Sequence, residues 1–322
     1  MIRTLMTRAA HMTLGVLAGS AMAYAVLQGA PAMAQTAAPT GVPAPVAAPA
    51  PATTPADPAL WVVRDADSTL YLFGTIHVLR PGTEWQTPRV QAAFDSATDV
   101  WMEIENPDDQ SALQPLIVQH GLSMTRPLSS LLTAEEFARL DVAAKSIGAS
   151  GEQLNIFRPW LAGLTLSVAP LAKAGYDPAS GVELTLKAKA EAAGKSIHGF
   201  ESLADQIQVL AGLPEDEQLV FLRSTLEDYD DAVTMIDGMV SAWSAGDVAA
   251  LDRLVVEDMK AESPVIYRAL LVDRNADWVQ QIQGLLAGSG TAFIAVGAAH
   301  LAGDDSVQTM LQAKGVTVER LE

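Results

Sequence analysis

Two segments at opposite ends of the chain share one pattern. Tyr71-Leu-Phe-Gly74-Thr-Ile-His77 and Phe293-Ile-Ala-Val-Gly297-Ala-Ala-His300 each run apolar and strand-like to a glycine, then deliver a histidine three residues later. Such a pair calls for two strand ends, distant in sequence, that converge on one site. Glycine lets the backbone turn where a strand finishes, and imidazole is the commonest protein metal ligand.

The residues around these motifs read as layered α/β. Leu60 to Val63 and Thr69 to Phe73, separated by the turn-rich Asp65-Ala-Asp-Ser68, form an expected β-hairpin whose second strand runs into the first motif. A short helix is expected over 86–96 and a strand over 99–105. Thr133-Ala-Glu-Glu136 has capping-box spacing and opens a helix that should end near Gly148. Residues 154–174 are apolar nearly all round, the pattern of a buried helix, broken by Pro159 and Pro170. Ser180-Gly-Val-Glu183 starts a helix that stops at Gly194, followed by a strand over 195–200 and a helix from Ser202. Helix, glycine, strand, helix is α/β grammar. Residues 214–286 form a long helical stretch, closed by a strand over 291–296, a helix over 304–313 and a strand over 316–321. The expected fold is a layered α/β sheet with helices on both faces and a large helical insertion. The leading hairpin demands at least one antiparallel pair, so a parallel or a mixed sheet is left open.

Residues 1–34 have the features of a signal peptide: Arg3 and Arg8 precede the uncharged apolar stretch Met12 to Val26, and Ala32-Met33-Ala34 fits a small-x-small cleavage site. The stretch is short for a membrane span. Residues 35–58, almost only Ala, Pro, Thr, Val and Gly, read as a disordered linker, and 59–322 as the folded domain. The expectation is a periplasmic or secreted protein without a stable membrane span after cleavage.

Cysteine is absent, which excludes disulfides, thiolate metal sites and a cysteine nucleophile. Removing residues 1–34 takes away two arginines and no acid, so the formal charge of −18 becomes −20. That surplus argues against nucleic acid or an anionic membrane surface as partner. A peptide or small-molecule substrate is expected instead.

His77 and His300 lead the candidate residues. Glu103 and Glu105 share one face of their expected strand; Glu103, deeper in it, is the candidate metal ligand or general base. Glu183 stands fourth in Ser-x-x-Glu, where a carboxylate can simply return a hydrogen bond to the helix start. Glu201 lies at a strand-to-helix junction, where open sheets place ligands but where a carboxylate also complements a helix N-terminus. Arg274 falls inside an expected helix, an ordinary surface position. His120 and His198 lack the glycine context, and a structural role is expected for both. No Gly-x-Ser-x-Gly, P-loop or His-Glu-x-x-His pattern occurs.

Taken in order, Leu60-Trp61, Leu72-Phe-Gly-Thr-Ile-His-Val78, Glu103, Arg158-Pro-Trp160, Gly181-Val-Glu183, Gly199-Phe-Glu201, Arg274-Asn275 and Val296-Gly-Ala-Ala-His-Leu301 resemble the TraB/PrgY/GumN family, specifically its bacterial GumN-like branch, to which the Tiki proteases are related. The resemblance implies an erythromycin-esterase-like or ChaN-like α/β fold and metal-dependent peptide hydrolysis. It implies His77, Glu103 and His300 as metal or catalytic residues, with Glu201 and Arg274 next in the catalytic set. The family usually has Gly-Val-Asp where this chain has Gly-Val-Glu183, which makes a tight ligand role for Glu183 less secure. The implied chemistry is a divalent manganese, cobalt or zinc ion that lowers the pKa of a bound water, with Arg274 stabilising the oxyanion. The alternatives are a non-catalytic periplasmic binding or accessory protein and a metal-independent esterase.

Overall fold

A computed structural model describes residues 56–322. The expected signal peptide and the linker up to residue 55 lie outside the described residues. No described helix is long and apolar enough to cross a membrane.

In chain order the strands are β1 (Leu60–Arg64), β2 (Ser68–Thr75), β3 (Asp99–Ile104), β4 (Ser196–Glu201), β5 (Gly290–Gly297) and β6 (Val318–Leu321). The helices of seven or more residues are α1 (Pro88–Ser96), α2 (Gln110–Gly121), α3 (Ala134–Ser146), α4 (Pro159–Lys173), α5 (Val182–Ala192), α6 (Leu203–Ala211), α7 (Glu215–Glu227), α8 (Ala232–Ser244), α9 (Asp273–Leu286) and α10 (Val307–Ala313).

The six strands form one mixed sheet in the order β4-β3-β5-β2-β1-β6. β1 and β2 are the expected hairpin, in register from Leu60↔Phe73 to Arg64↔Thr69. Its turn is stabilised by Asp65, whose Oδ1 accepts the amides of Asp67 and Ser68. The other strands of the site, β2, β5, β3 and β4, are mutually parallel. β5, late in the sequence, enters the middle of the sheet between β2 and β3. Its register sets Val296 beside Gly74 and Gly297 beside Thr75. The two Gly-x-x-His motifs therefore leave the sheet from adjacent strands at the same edge.

Alternation along the strands divides the core into two layers, as side chains of period two require. Phe73, Val100, Met102, Phe293 and Ala295 pack on one face with α1, α5 and α6. Leu70, Leu72, Ile294 and Val296 pack on the other with Trp278, Val279 and Ile282 of α9 and with Val307 and Leu311 of α10. Helices cover both faces, as expected.

The helical insertion is two blocks: α2 to α5 between β3 and β4, and α6 to α9 between β4 and β5. Thr133 and Glu136 form both halves of the capping box that starts α3. α4 is buried on nearly all sides, but its prolines do not break it. Pro159 occupies the first helical position, where no intrahelical N–H is required, and the helix runs on past Pro170 to Lys173. Between 264 and 286 the helix contains a π-turn over Arg268–Val272, in which the amide of Asp273 reaches back to the carbonyl of Arg268. The register change falls immediately before Arg274.

Candidate functional site

The site lies at the carboxyl edge of the parallel strands, where open α/β sheets place their ligands. β2 leads to His77 two residues past its end, and Glu103 is the penultimate residue of β3. Glu201 ends β4, and β5 passes into a 3₁₀ turn, Ala298–Leu301, that carries His300. His77, Glu103 and His300 are all buried, with 3%, 4% and 1% of their surface exposed.

The glycines of the two motifs serve close approach and not a sharp turn. Neither Gly74 nor Gly297 has positive φ. A Cβ on Gly74 would sit 3.0 Å from the Cα of Ala298. A Cβ on Gly297 would sit 3.1 Å from Glu103 Oε1, 3.5 Å from His300 Cδ2 and 3.7 Å from His77 Nε2. Gly297 is thus the point around which both imidazoles and the β3 carboxylate gather.

His77 is set by α5. The amide of Val182 donates to the carbonyl of Ile76 at 3.0 Å, and Leu79 bridges to Asp177. Gly181 touches the carbonyl of His77 so closely that any side chain there would collide with it. This docking turns Glu183 inward. The helix start is capped by no side chain, so Glu183 does not return the hydrogen bond that its place in Ser-x-x-Glu allows. Its Oε1 lies 2.6 Å from His77 Nδ1 and accepts the hydroxyl of Thr75. The His77 contact becomes an ion pair when the ring is protonated. The additional methylene of a glutamate, relative to aspartate, does not prevent contact. His77 Nε2 and Glu183 Oε2 are buried without hydrogen-bond partners. Burial alone would lower the pKa of His77, but Glu183 at contact distance and Glu103 nearby raise it above the usual imidazole range.

Arg274 organises the opposite half. Only 6% exposed, it is no surface arginine. Its Nε and Nη2 donate to the two oxygens of Glu201 at 2.7 and 2.8 Å, and Nη2 also donates to Glu103 Oε2 at 2.7 Å. Its Nη1 donates to the carbonyl of Leu270 and to His300 Nε2, both at 3.1 Å. All five N–H groups of the guanidinium are engaged. No donor is left for an oxyanion in this arrangement, so Arg274 acts here as a clamp on two carboxylates and a histidine.

Glu103 also accepts from Gln206 Nε2 at 3.1 Å and from the amide of Gly297 at 2.8 Å. Burial would raise its pKa; Arg274, His300 and His77 outweigh that and hold it at about 2. Glu201, covered but nearer the surface, goes the other way, because burial outweighs Arg274. His300 is lowered to about 3 by burial and by the adjacent guanidinium. Its Nδ1 meets Asn275 Oδ1 at 2.6 Å, and the Trp278 ring lies 4.3 Å from its own.

The structure therefore brings His77, Glu103, Glu201, Arg274 and His300 together, with Glu183 as the direct partner of His77. Thr75, Gln206 and Asn275 complete the network. Asn275 stands out in the sequence only as part of a family motif, and nothing in the sequence marks Gln206, which reaches Glu103 from α6. His198 lies elsewhere, stacked on Trp101 and 3.3 Å from Asp99; His120 contacts Gln208. Glu105 lies beyond the end of β3 and is exposed.

A cation held jointly by His77, Glu103 and His300 does not fit this arrangement. Arg274 engages both Glu103 and His300, placing a full positive charge where the ion would share them. Among the described residues no group of three or more His, Asp and Glu side chains is arranged to hold a metal ion.

The chain is 23% identical over 268 residues to an uncharacterized protein of Treponema pallidum (strain Nichols), covering 79% of this chain and 80% of the relative. It is 22% identical over 255 residues to the uncharacterized protein YbaP of Escherichia coli (strain K12), covering 79% and 92%, and to the same degree to YbaP of Shigella flexneri. No solved structure matches. The profile of the TraB/PrgY/gumN family matches residues 59–320, a span holding both strand-end histidines and every residue of the network, and the chain belongs to that family.

Proposed function

We propose that the protein is an exported hydrolase of peptide-like or other carbonyl substrates in which His77 is the general base. One observation carries this reading: His77 holds a buried, unpartnered Nε2 at the carboxyl edge of the sheet while its Nδ1 faces the Glu183 carboxylate. A carboxylate behind an imidazole favours the imidazolium that forms when the ring takes a proton. In this reading Nε2 takes a proton from water as the oxygen attacks the carbonyl carbon, Glu183 balances the charge, and the same proton then passes to the leaving group. Glu103, Glu201 and Arg274 hold the second wall rigid. Burial excludes bulk water from the ring, which strengthens the electrostatic pairing.

The metal-dependent version of this hydrolase is the second reading, favoured by two buried atoms without hydrogen-bond partners, His77 Nε2 and Glu183 Oε2. A divalent manganese, cobalt or zinc ion would supply an acidified water. Kinship to the Tiki proteases would favour this version, and an erythromycin-esterase-like fold would suit the metal-free one. Both are tested by assaying purified protein against a panel of peptides and esters, with and without chelator, beside His77→Ala. The leading reading expects chelator-resistant turnover that His77→Ala removes. Turnover restored to chelated protein by manganese, cobalt or zinc would move the assignment to the second reading, and turnover equal in His77→Ala would end both.

A further inference from the structure

We infer that His300 is a positioning residue locked in one neutral tautomer by Asn275, so that the two Gly-x-x-His motifs supply one reacting and one supporting histidine. That His77 reacts rests on the hydrolase reading; the tautomer of His300 does not.

The backbone carbonyl of Asp305 can only accept. It takes the side-chain amide Nδ2 of Asn275 at 2.8 Å, and this turns Oδ1 of Asn275 toward His300. Oδ1 also can only accept, so His300 Nδ1, 2.6 Å away, carries the ring proton. On the other side of the ring Nη1 of Arg274 can only donate. His300 Nε2, at 3.1 Å, therefore presents its lone pair. The other neutral tautomer would set a lone pair against Oδ1 and an N–H against the guanidinium. A doubly protonated ring would set two donors face to face. Glu103 Oε1, at 3.8 Å from Nε2, is too far to offer a competing hydrogen bond.

The consequence is a division of labour. The lone pair of His300 holds Arg274, with the Leu270 carbonyl, so that Nε and Nη2 meet Glu201 and Glu103. It is not offered to a proton or an ion. Trp278 locks the arrangement from the side: its ring lies against both His300 and Arg274, and its N–H donates to Glu201 at 3.0 Å. His77, by contrast, meets the Glu183 carboxylate and has a ring nitrogen, Nε2, without a hydrogen-bond partner.

Nitrogen-15 NMR of the histidine rings in the intact, substrate-free protein at pH 7.5 tests the tautomer, with signals assigned by single histidine-to-glutamine variants. The expected signature of His300 is a protonated Nδ1 and an unprotonated Nε2 that chelator does not shift. A protonated Nε2, a doubly protonated ring or a metal-shifted signal would overturn the inference. A second arm uses His300→Gln, whose amide offers one donor and one acceptor but is no proton-transfer base. His300→Gln should recover at least about a tenth of wild-type turnover, whereas His300→Ala should lose about 100-fold or more, the scale on which acid–base residues are felt. Equal loss in both variants, with circular dichroism unchanged, would count against it. If the protein turns over no substrate, the hydrolase reading fails while the NMR result still decides the tautomer.

Discussion

His77 and His300 occupy equivalent places in sequence and fold, each three residues past a glycine and just beyond the end of one of two neighbouring parallel strands, and both are buried. Their chemistry is opposite. His77 is bordered by Glu183, which favours its charged form; His300 is bordered by a guanidinium, which disfavours it. One tetrapeptide pattern thus specifies where an imidazole is delivered, and the neighbouring layer specifies what that imidazole does. The carboxylate in contact with His77 comes from α5 and the guanidinium in contact with His300 from α9, helices packed on opposite faces of the sheet.

The contrast breaks most severely at Arg274. Replacement by Met leaves Glu103 and Glu201 buried without their counter-ion, with an expected loss of about 3–5 kcal/mol. Urea denaturation measures it, and an unchanged midpoint would mean that the clamp is not structural. Removing the proposed base is next: His77→Ala should cost about 10²- to 10⁴-fold in kcat, read on any substrate that the assay panel identifies. Activity in the wild type should rise with pH through a value above the usual imidazole pKa, because His77 must be neutral to accept a proton. Glu183→Gln should move that limb to lower pH.

Stability against pH sharpens the comparison more gently. A histidine with a raised folded-state pKa stabilises the fold fully below about pH 6.5 and loses that contribution as pH rises through the folded-state value. His77→Gln should therefore narrow the difference from wild type above neutrality. Glu103, held at about 2 against a usual 4.5, contributes above pH 4.5, and this is lost as pH falls toward 2. Denaturation midpoints of Glu103→Gln and wild type should converge across that acid range. The smallest effect is expected from His198→Ala, a half-exposed histidine outside the network, at no more than about 0.5 kcal/mol. A larger change there would mean that histidine burial and partners do not rank these sites.

Much of this arrangement was legible in the chain. Short apolar runs bounded by turn residues or glycine marked the hairpin, β3 and β5, and the capping box of Thr133 and Glu136 placed the start of α3, because these signals are local. The convergence of His77 with His300 was also readable, since a repeated motif at strand ends limits where the histidines can go. Glu183 and Arg274 were misleading in isolation. The first matched a capping pattern, and the second sat in a helix where arginine usually meets solvent. Their roles come from contacts across 106 and 171 positions of sequence, with His77 and Glu103.

The sequence alone determined the strands, the two histidines at their ends, the acids available to them and the family. Only the tertiary structure decided which histidine faces a carboxylate and which a guanidinium. The physical reason is that protonation and hydrogen-bond direction depend on fields that act over a few ångströms in a buried site. Those neighbours are assembled by the packing of α5 and α9 onto opposite sides of one sheet edge, which no local pattern encodes.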